Sequence, residues 1–197
     1  MEQKLLVKVR NRQKIYIHND LENAALYFKT KVEKRVAQND RQGVGLEMIA
    51  ALTMMAFALE ARMNFLGFKT LADRWDERQP YLTKFERVAK KLNIPVEYGS
   101  RPHKTVKLLK EFRDTLAHGK PFEIDQEQEL IATYEELDRS KLLQAEWEKR
   151  FLTEEFVSRA HDDSETIWKT FLQASGLSVF DTITHGDRNI QFISYVD

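Results

Sequence analysis

Between Met48 and Leu59 only Thr53 is polar, and Glu47 and Glu60 close the run on either side. A helix built on such a run is apolar nearly all round, so it has no face to offer water and belongs in the middle of a bundle. It is expected to extend from Leu46 to about Leu66 and to be closed by Gly67. Four of the five methionines, Met48, Met54, Met55 and Met63, fall within it. Their pliable side chains suit core filling better than a cofactor box. The apolar run is well short of the roughly 20 residues a membrane helix needs. Met1 to Arg10 holds no stretch of signal-peptide character. With no cysteine in the chain there are no disulfides and no thiolate metal site. A cytoplasmic protein without a membrane partner is expected.

Other periodic segments surround that helix. Leu21, Ala25, Phe28, Val32 and Val36 recur at helical steps, predicting a helix from about Leu21 to Gln38 capped by Asn19 with Glu22 three residues on. Thr83 and Glu86 form a capping box for a shorter helix ending near Leu92. Ser100 caps a helix that reaches His118, with Gly119 as a left-handed terminator and Pro121 preventing resumption. Helices follow at Asp125 to Arg150, broken near Arg139-Ser140, and at Thr153 to Ala174, ended by Gly176. Both ends of the chain have strand character. Lys4 to Arg10 and Lys14 to His18 read as one hairpin around Asn11-Arg12-Gln13. Leu177 to Thr184 and Asn189 to Val196 read as a second. The fold class is therefore mainly α, a helical bundle with a small β element from the two terminal hairpins, in a single domain over 1–197.

Net charge is zero, with 31 basic and 31 acidic residues, so no global field draws in a polyanion. The charge is nevertheless uneven. Residues 1–122 carry +10 and residues 123–165 carry −9. The basic part could favour a polyanion, or solvated helix faces could simply differ along the chain.

The informative segment is Ser100 to Phe122. At 100° per residue, Leu109, Leu116, Thr105, Phe112 and Val106 form one stripe, and Arg113 falls inside it. A guanidinium there is costly unless it is paired or lies at an interface or cleft. One account is a structural ion pair with Glu60, which stands among apolar helical neighbours. His118, at the helix end, lies about 140° from Arg113 on an ideal helix. The two therefore converge only if the chain leaves helical geometry at Gly119 or a second subunit supplies one of them. His118 could equally be a helix C-terminal cap. Asp114 precedes His118 by one turn and can orient its ring through a hydrogen bond. Arg101, Lys104, Lys107, Lys110 and Lys120 could contact RNA phosphates or serve only as a solvated face.

Arg113-Asp114-Thr115-Leu116-Ala117-His118 resembles the R-x4-6-H signature of HEPN domains, and the preceding apolar helix, with Glu60 and Arg62 near its end, resembles their second helix. The resemblance covers about residues 20 to 150, with the hairpins at 1–18 and 177–196 outside it and 153–174 as an additional helix. It implies an antiparallel four- to five-helix core, a homodimer, and motifs facing one another across a cleft. It further implies a metal-independent endoribonuclease in a toxin, antiviral or RNA-processing setting, with a possible cognate antitoxin. The alternative is a catalytically silent module binding RNA or a partner protein. In the active reading His118 is general acid/base, Arg113 clamps phosphate, Asp114 orients the histidine and Glu60 positions the arginine. The family often has asparagine where Asp114 stands, and a carboxylate there repels phosphate unless it turns toward His118.

No P-loop, dinucleotide glycine fingerprint, G-x-S-x-G or zinc motif is present, and no cofactor is expected. His161-Asp162-Asp163 and His185-Gly186-Asp187 offer too few convergent ligands for a metal. Trp75, Trp147 and Trp168 lie far apart and suit packing rather than a stacking platform.

Overall fold

A helix apolar nearly all round needs partners nearly all round, and the chain supplies them in order over most of its surface, leaving Phe57 41% exposed. The computed structural model describes residues 3–121, 123–125, 127, 129–138 and 144–196. A strand β1 (Lys4–Lys14) leads into helices α1 (Ile17–Ala37) and α2 (Val44–Leu71). Then come α3 (Tyr81–Lys91), α4 (His103–Ala117), the short α5 (Tyr134–Asp138) and α6 (Glu146–Phe151), α7 (Glu154–Ser175) and strand β2 (His185–Val196). The fold is mainly helical with a small two-stranded antiparallel sheet.

α2 carries the core. It buries Ala51, Leu52, Met55, Ala56, Leu59, Met63 and Leu66 completely or nearly so, and α1, α3, α4 and α7 all pack on it. Arg35 meets Glu47 at 2.8 Å near the α1–α2 connection, and Glu22 meets Arg62 at 3.3 Å at the far ends, so the two helices run antiparallel. The helix outlasts its apolar run and is long and apolar enough, by length and composition, to cross a bilayer. Gly67 does not close it. A Cβ at Gly67 would overlap the Trp75 ring, so this glycine serves the close approach of the indole.

Several expected boundaries move. α1 opens at Ile17 without a side-chain cap. Asn19 instead donates to the Thr182 carbonyl at 2.8 Å and ties α1 to the C-terminal segment. α3 begins at Tyr81 after Pro80, which places Thr83 inside the first turn. α4 begins at His103, beyond Ser100, and buries Thr105, Val106, Leu109 and Phe112, leaving Leu116 partly exposed. Gly119 is not left-handed. Within Asp125 to Arg150 the described residues form only α5 and α6, while Arg139 and Ser140 lie outside them. Leu130 and Ile131 are exposed, and a helix that buries no apolar face is marginal in water. α7 follows expectation: Thr153 accepts the Phe156 N–H at 3.1 Å and Gly176, at φ 71°, ends the helix. It belongs to the same core as α1 to α4 rather than standing outside it.

The β element also differs in its wiring. Each end of the chain gives one long strand, not a hairpin, and the two pair antiparallel from Lys4↔Val196 to Lys14↔His185. Asn11-Arg12-Gln13 runs straight through β1, because it lacks the glycine or Asn-Gly pair that a tight hairpin turn favours. Val179–Thr182 forms a 3-10 turn where a strand was expected. The register places Leu5, Val7, Val9, Ile190, Phe192 and Tyr195 on one face, with the Phe192 and Tyr195 rings 5.1 Å apart. The opposite face carries Lys8, Arg10, Arg12, Asp187, Asn189 and Gln191.

Where this ribbon joins the bundle, Tyr16 packs edge-on against Phe65 at 5.1 Å and His18 lies buried between Phe65 and Trp168. Burial, reinforced by the Arg62 charge, lowers the His18 pKa from 6.5 to about 4. The fold thus keeps His18 neutral while the unfolded chain takes up a proton near pH 6.5. Its contribution is complete above pH 6.5 and is lost as pH falls toward 4. His161 acts in the opposite sense: its hydrogen bond to Glu22 raises its pKa, so its contribution is present at low pH and is lost as pH rises. Comparison with His18→Phe isolates the first effect. Urea unfolding at pH 7 and pH 4 is expected to show wild type losing about 3 kcal/mol more than the variant. Equal losses would contradict the assignment. Gly67→Ala is expected to lower stability by about 1–3 kcal/mol by displacing Trp75, measurable in the same titrations.

Candidate functional site

Glu60 follows the apolar run directly and holds a cation with each carboxylate oxygen. Oε2 accepts from Arg113 Nη1 at 2.7 Å and Oε1 accepts from Lys84 Nζ at 2.7 Å. One side chain thereby joins α2 to both α3 and α4. Lys84 is only 4% exposed, so Glu60 is what makes its charge tolerable there. The Arg113 guanidinium lies over the Tyr81 ring, 5.4 Å from its centroid. Burial first, and Glu60 second, push the Tyr81 phenol far above its ordinary range, keeping it neutral.

The ion pair expected between Arg113 and Glu60 is thus present within one protomer, but it does not seal the guanidinium away. The Arg113 side chain remains 28% exposed. Its Nε stands 3.6 Å from Asp114. Its Nη2 has no hydrogen-bond partner among the described residues.

The hydrogen bond expected from Asp114 to the His118 ring is not formed. Lys110, one turn earlier on the other side, takes the Asp114 carboxylate at 2.6 Å. An ammonium one turn away on the same face offers that carboxylate a charge-assisted hydrogen bond. What joins Asp114 to His118 is the backbone, His118 N–H donating to the Asp114 carbonyl at 2.9 Å. His118 is the C-terminal cap residue at φ −116° and ψ 20°, and it is exposed. The ring is therefore not carried back toward Arg113 by a left-handed turn at Gly119.

His118, Asp114 and Lys110 line one open groove of about 830 Å³, together with Trp147 and Arg150. Arg113 does not line it. The structure thus brings His118, Asp114 and Lys110 together and Arg113 together with Glu60, but it does not join these two sets into one wall. Arg101 and Lys104 meet in a separate pocket. Lys107 and Lys120 are exposed. Among the described residues, no three His, Asp or Glu side chains gather as metal ligands.

Charged and aromatic groups beyond the sequence motif complete the picture. Arg62, 4% exposed, takes Glu165 at 2.6 Å and Glu22 at 3.3 Å and stacks on Trp168. His161 stands 3.4 Å from Glu22. Burial alone would raise the Glu22 pKa, but His161 and Arg62 more than offset it and the net shift is downward. Lys84 and Tyr81 were not legible as partners of the motif. Their signal was the spacing of a cation and an aromatic one turn apart in a helix beside Glu60. Compared with known proteins, the chain matches no family model, no curated protein and no solved structure at a significant level.

Removing Glu60 leaves Lys84 buried without a counter-charge. Glu60→Ala is expected to cost about 3–5 kcal/mol in urea unfolding, and adding Lys84→Met should recover part of that loss. A cost below about 1 kcal/mol, the range of a surface pair, would show that the carboxylate does not organise the site.

Proposed function

We propose that this chain is a HEPN-type, metal-independent endoribonuclease that acts as a homodimer. The observation that carries the reading is the state of Arg113. Glu60 fixes one edge of its guanidinium through Nη1, Asp114 stands 3.6 Å from Nε, and Nη2, without a partner among the described residues on a side chain 28% exposed, is left to meet a phosphate.

In that role the RNA supplies its own nucleophile. The 2′-oxygen attacks the adjacent phosphorus, the bond to the 5′-oxygen breaks, and a 2′,3′-cyclic phosphate and a 5′-hydroxyl remain. Imidazole exchanges protons near neutral pH, which suits His118 to take the 2′ proton or to supply one to the leaving oxygen. Arg113 neutralises charge that builds on the phosphorane. α4 stays helical through Ala117, so on one copy the two side chains leave the axis about 140° apart. A second copy supplying one of the pair completes the site. Such an enzyme fits a cytoplasmic role in defence, toxin action or RNA processing, with a cognate antitoxin as a possible partner.

The second reading is a catalytically silent HEPN-like module that binds RNA or a protein. It is favoured by the engagement of Asp114 with Lys110 rather than His118 and by the neutralisation of Arg113 within its own protomer. Incubation with RNA in EDTA separates the two. The nuclease reading expects cleavage products with 2′,3′-cyclic phosphate or 3′-phosphate ends. It also expects His118→Ala to slow cleavage by about 100-fold or more with an unchanged circular dichroism spectrum and melting temperature. No cleavage by wild type, or undiminished cleavage by the variant, supports the second reading instead.

A further inference from the structure

Between α4, α6 and α7 lies a second, more enclosed pocket of about 280 Å³. Arg101, Lys104, Arg150 and Arg159 line it, and no acidic side chain does. Four cations around so small a space give its wall a positive face, although three of them are offset by carboxylates outside it. Their own counter-charges lie elsewhere. Asp163 is buried behind Arg101, bound by its Nε at 3.0 Å and Nη2 at 2.9 Å and by the Thr105 hydroxyl. That pairing holds Arg101 in place from behind, while its side chain stays 58% exposed at the pocket mouth. Glu111 holds Arg150 at 2.7 Å and Glu155, itself well exposed, stands 3.3 Å from Arg159. Lys104 has no ion-pair partner among the described residues.

Leu108 supplies the accessible apolar wall, while Phe151 and Phe156 also line the pocket but are each only 2% exposed. The two rings lie 5.5 Å apart, and the Arg150 and Arg159 guanidinium groups lie over them at 4.8 and 5.3 Å. Stacking of this kind presents flat faces and directed N–H donors together. A free inorganic anion would use the cations and leave the apolar wall idle. An apolar ligand would bury the cations without compensation. The chemistry that uses both is a phosphate ester carrying a flat ring. Arg150 and Phe151 belong also to the groove that holds His118, so the two cavities are neighbours.

We infer, resting on the RNA-binding reading above, that this pocket is a nucleotide subsite, taking one phosphate of an RNA strand between Arg101, Lys104 and Arg159 and its base against Leu108 and the exposed guanidinium plane of Arg150. The inference does not require His118 to be catalytic. Its test is calorimetric titration of the full chain with adenosine 5′-monophosphate, inorganic phosphate and adenosine at low salt. The monophosphate should bind at least tenfold more tightly than either fragment. Lys104→Ala and Arg159→Ala, both at solvent-accessible positions, should each weaken it roughly tenfold, the worth of one charge-assisted hydrogen bond. Lys90→Ala, exposed on α3 and not part of the pocket lining, should leave the affinity unchanged. Equal affinities in all three variants, inorganic phosphate binding as well as the nucleotide, or adenosine binding as well as the nucleotide would each overturn the assignment. RNA cleavage by the same proteins is a separate readout, so failure of the pocket and failure of the nuclease reading are told apart.

Discussion

One carboxylate between two cations sets the geometry of this molecule's most informative region. Glu60 sits where the apolar run of α2 ends, and it is shared by a lysine from α3 and an arginine from α4. Because Lys84 is buried, the interaction is not a surface ion pair of negligible worth. Breaking it would strand a charge in the interior. The arrangement also fixes where Arg113 points. A long flexible side chain on a core-facing stripe could fold in many ways, and Glu60 with the Tyr81 ring selects one in which part of the guanidinium still faces outward.

A second charge on α2 mirrors the first. Arg62 is two residues from Glu60, so it leaves the helix about 200° away and faces α1 and α7 instead of α3 and α4. There Glu22 and Glu165 receive it, with His161 adjoining Glu22. The apolar residues of α2 supply the bulk of the burial. The two opposed charges specify which neighbour lies on which side, a use of buried ion pairs that concerns register more than stability. The terminal ribbon is held at its base by Tyr16, Asn19 and Thr184, while beyond that base both its faces are largely exposed.

The central helix, the helical character of the chain, the end of α7 at Gly176 and the Arg113–Glu60 pair could all be read from residue spacing, because each follows from local periodicity or from one unavoidable charge. Where spacing misleads, a competing partner is the cause, twice a distant one and once a neighbour on the same helix. Asn11 to Gln13 looked like a turn because its true partner, Arg188 to Gly186, lies at the other end of the chain. Gly67 looked like a helix end because the Trp75 ring that requires it packs back from a later segment. Asp114 was assigned to His118 because both lie on one face. Lys110 shares that face and takes the carboxylate at 2.6 Å. The pocket between α4, α6 and α7 draws its cations from three separate segments, and only Arg101 and Lys104 belong to the segment that spacing makes informative.

The proposed function requires Arg113 and His118 to act on one phosphate from different copies of the chain, since a single α4 directs them apart. The most direct measurement is RNA cleavage by a mixture of Arg113→Ala and His118→Ala proteins, refolded together so that subunits exchange. Each mixed dimer would retain one intact arginine–histidine pair across the two-fold axis, so the account predicts recovery to about a quarter of wild-type activity from two silent parents. A mixture as silent as its parents, in a preparation where wild type cleaves, would contradict it.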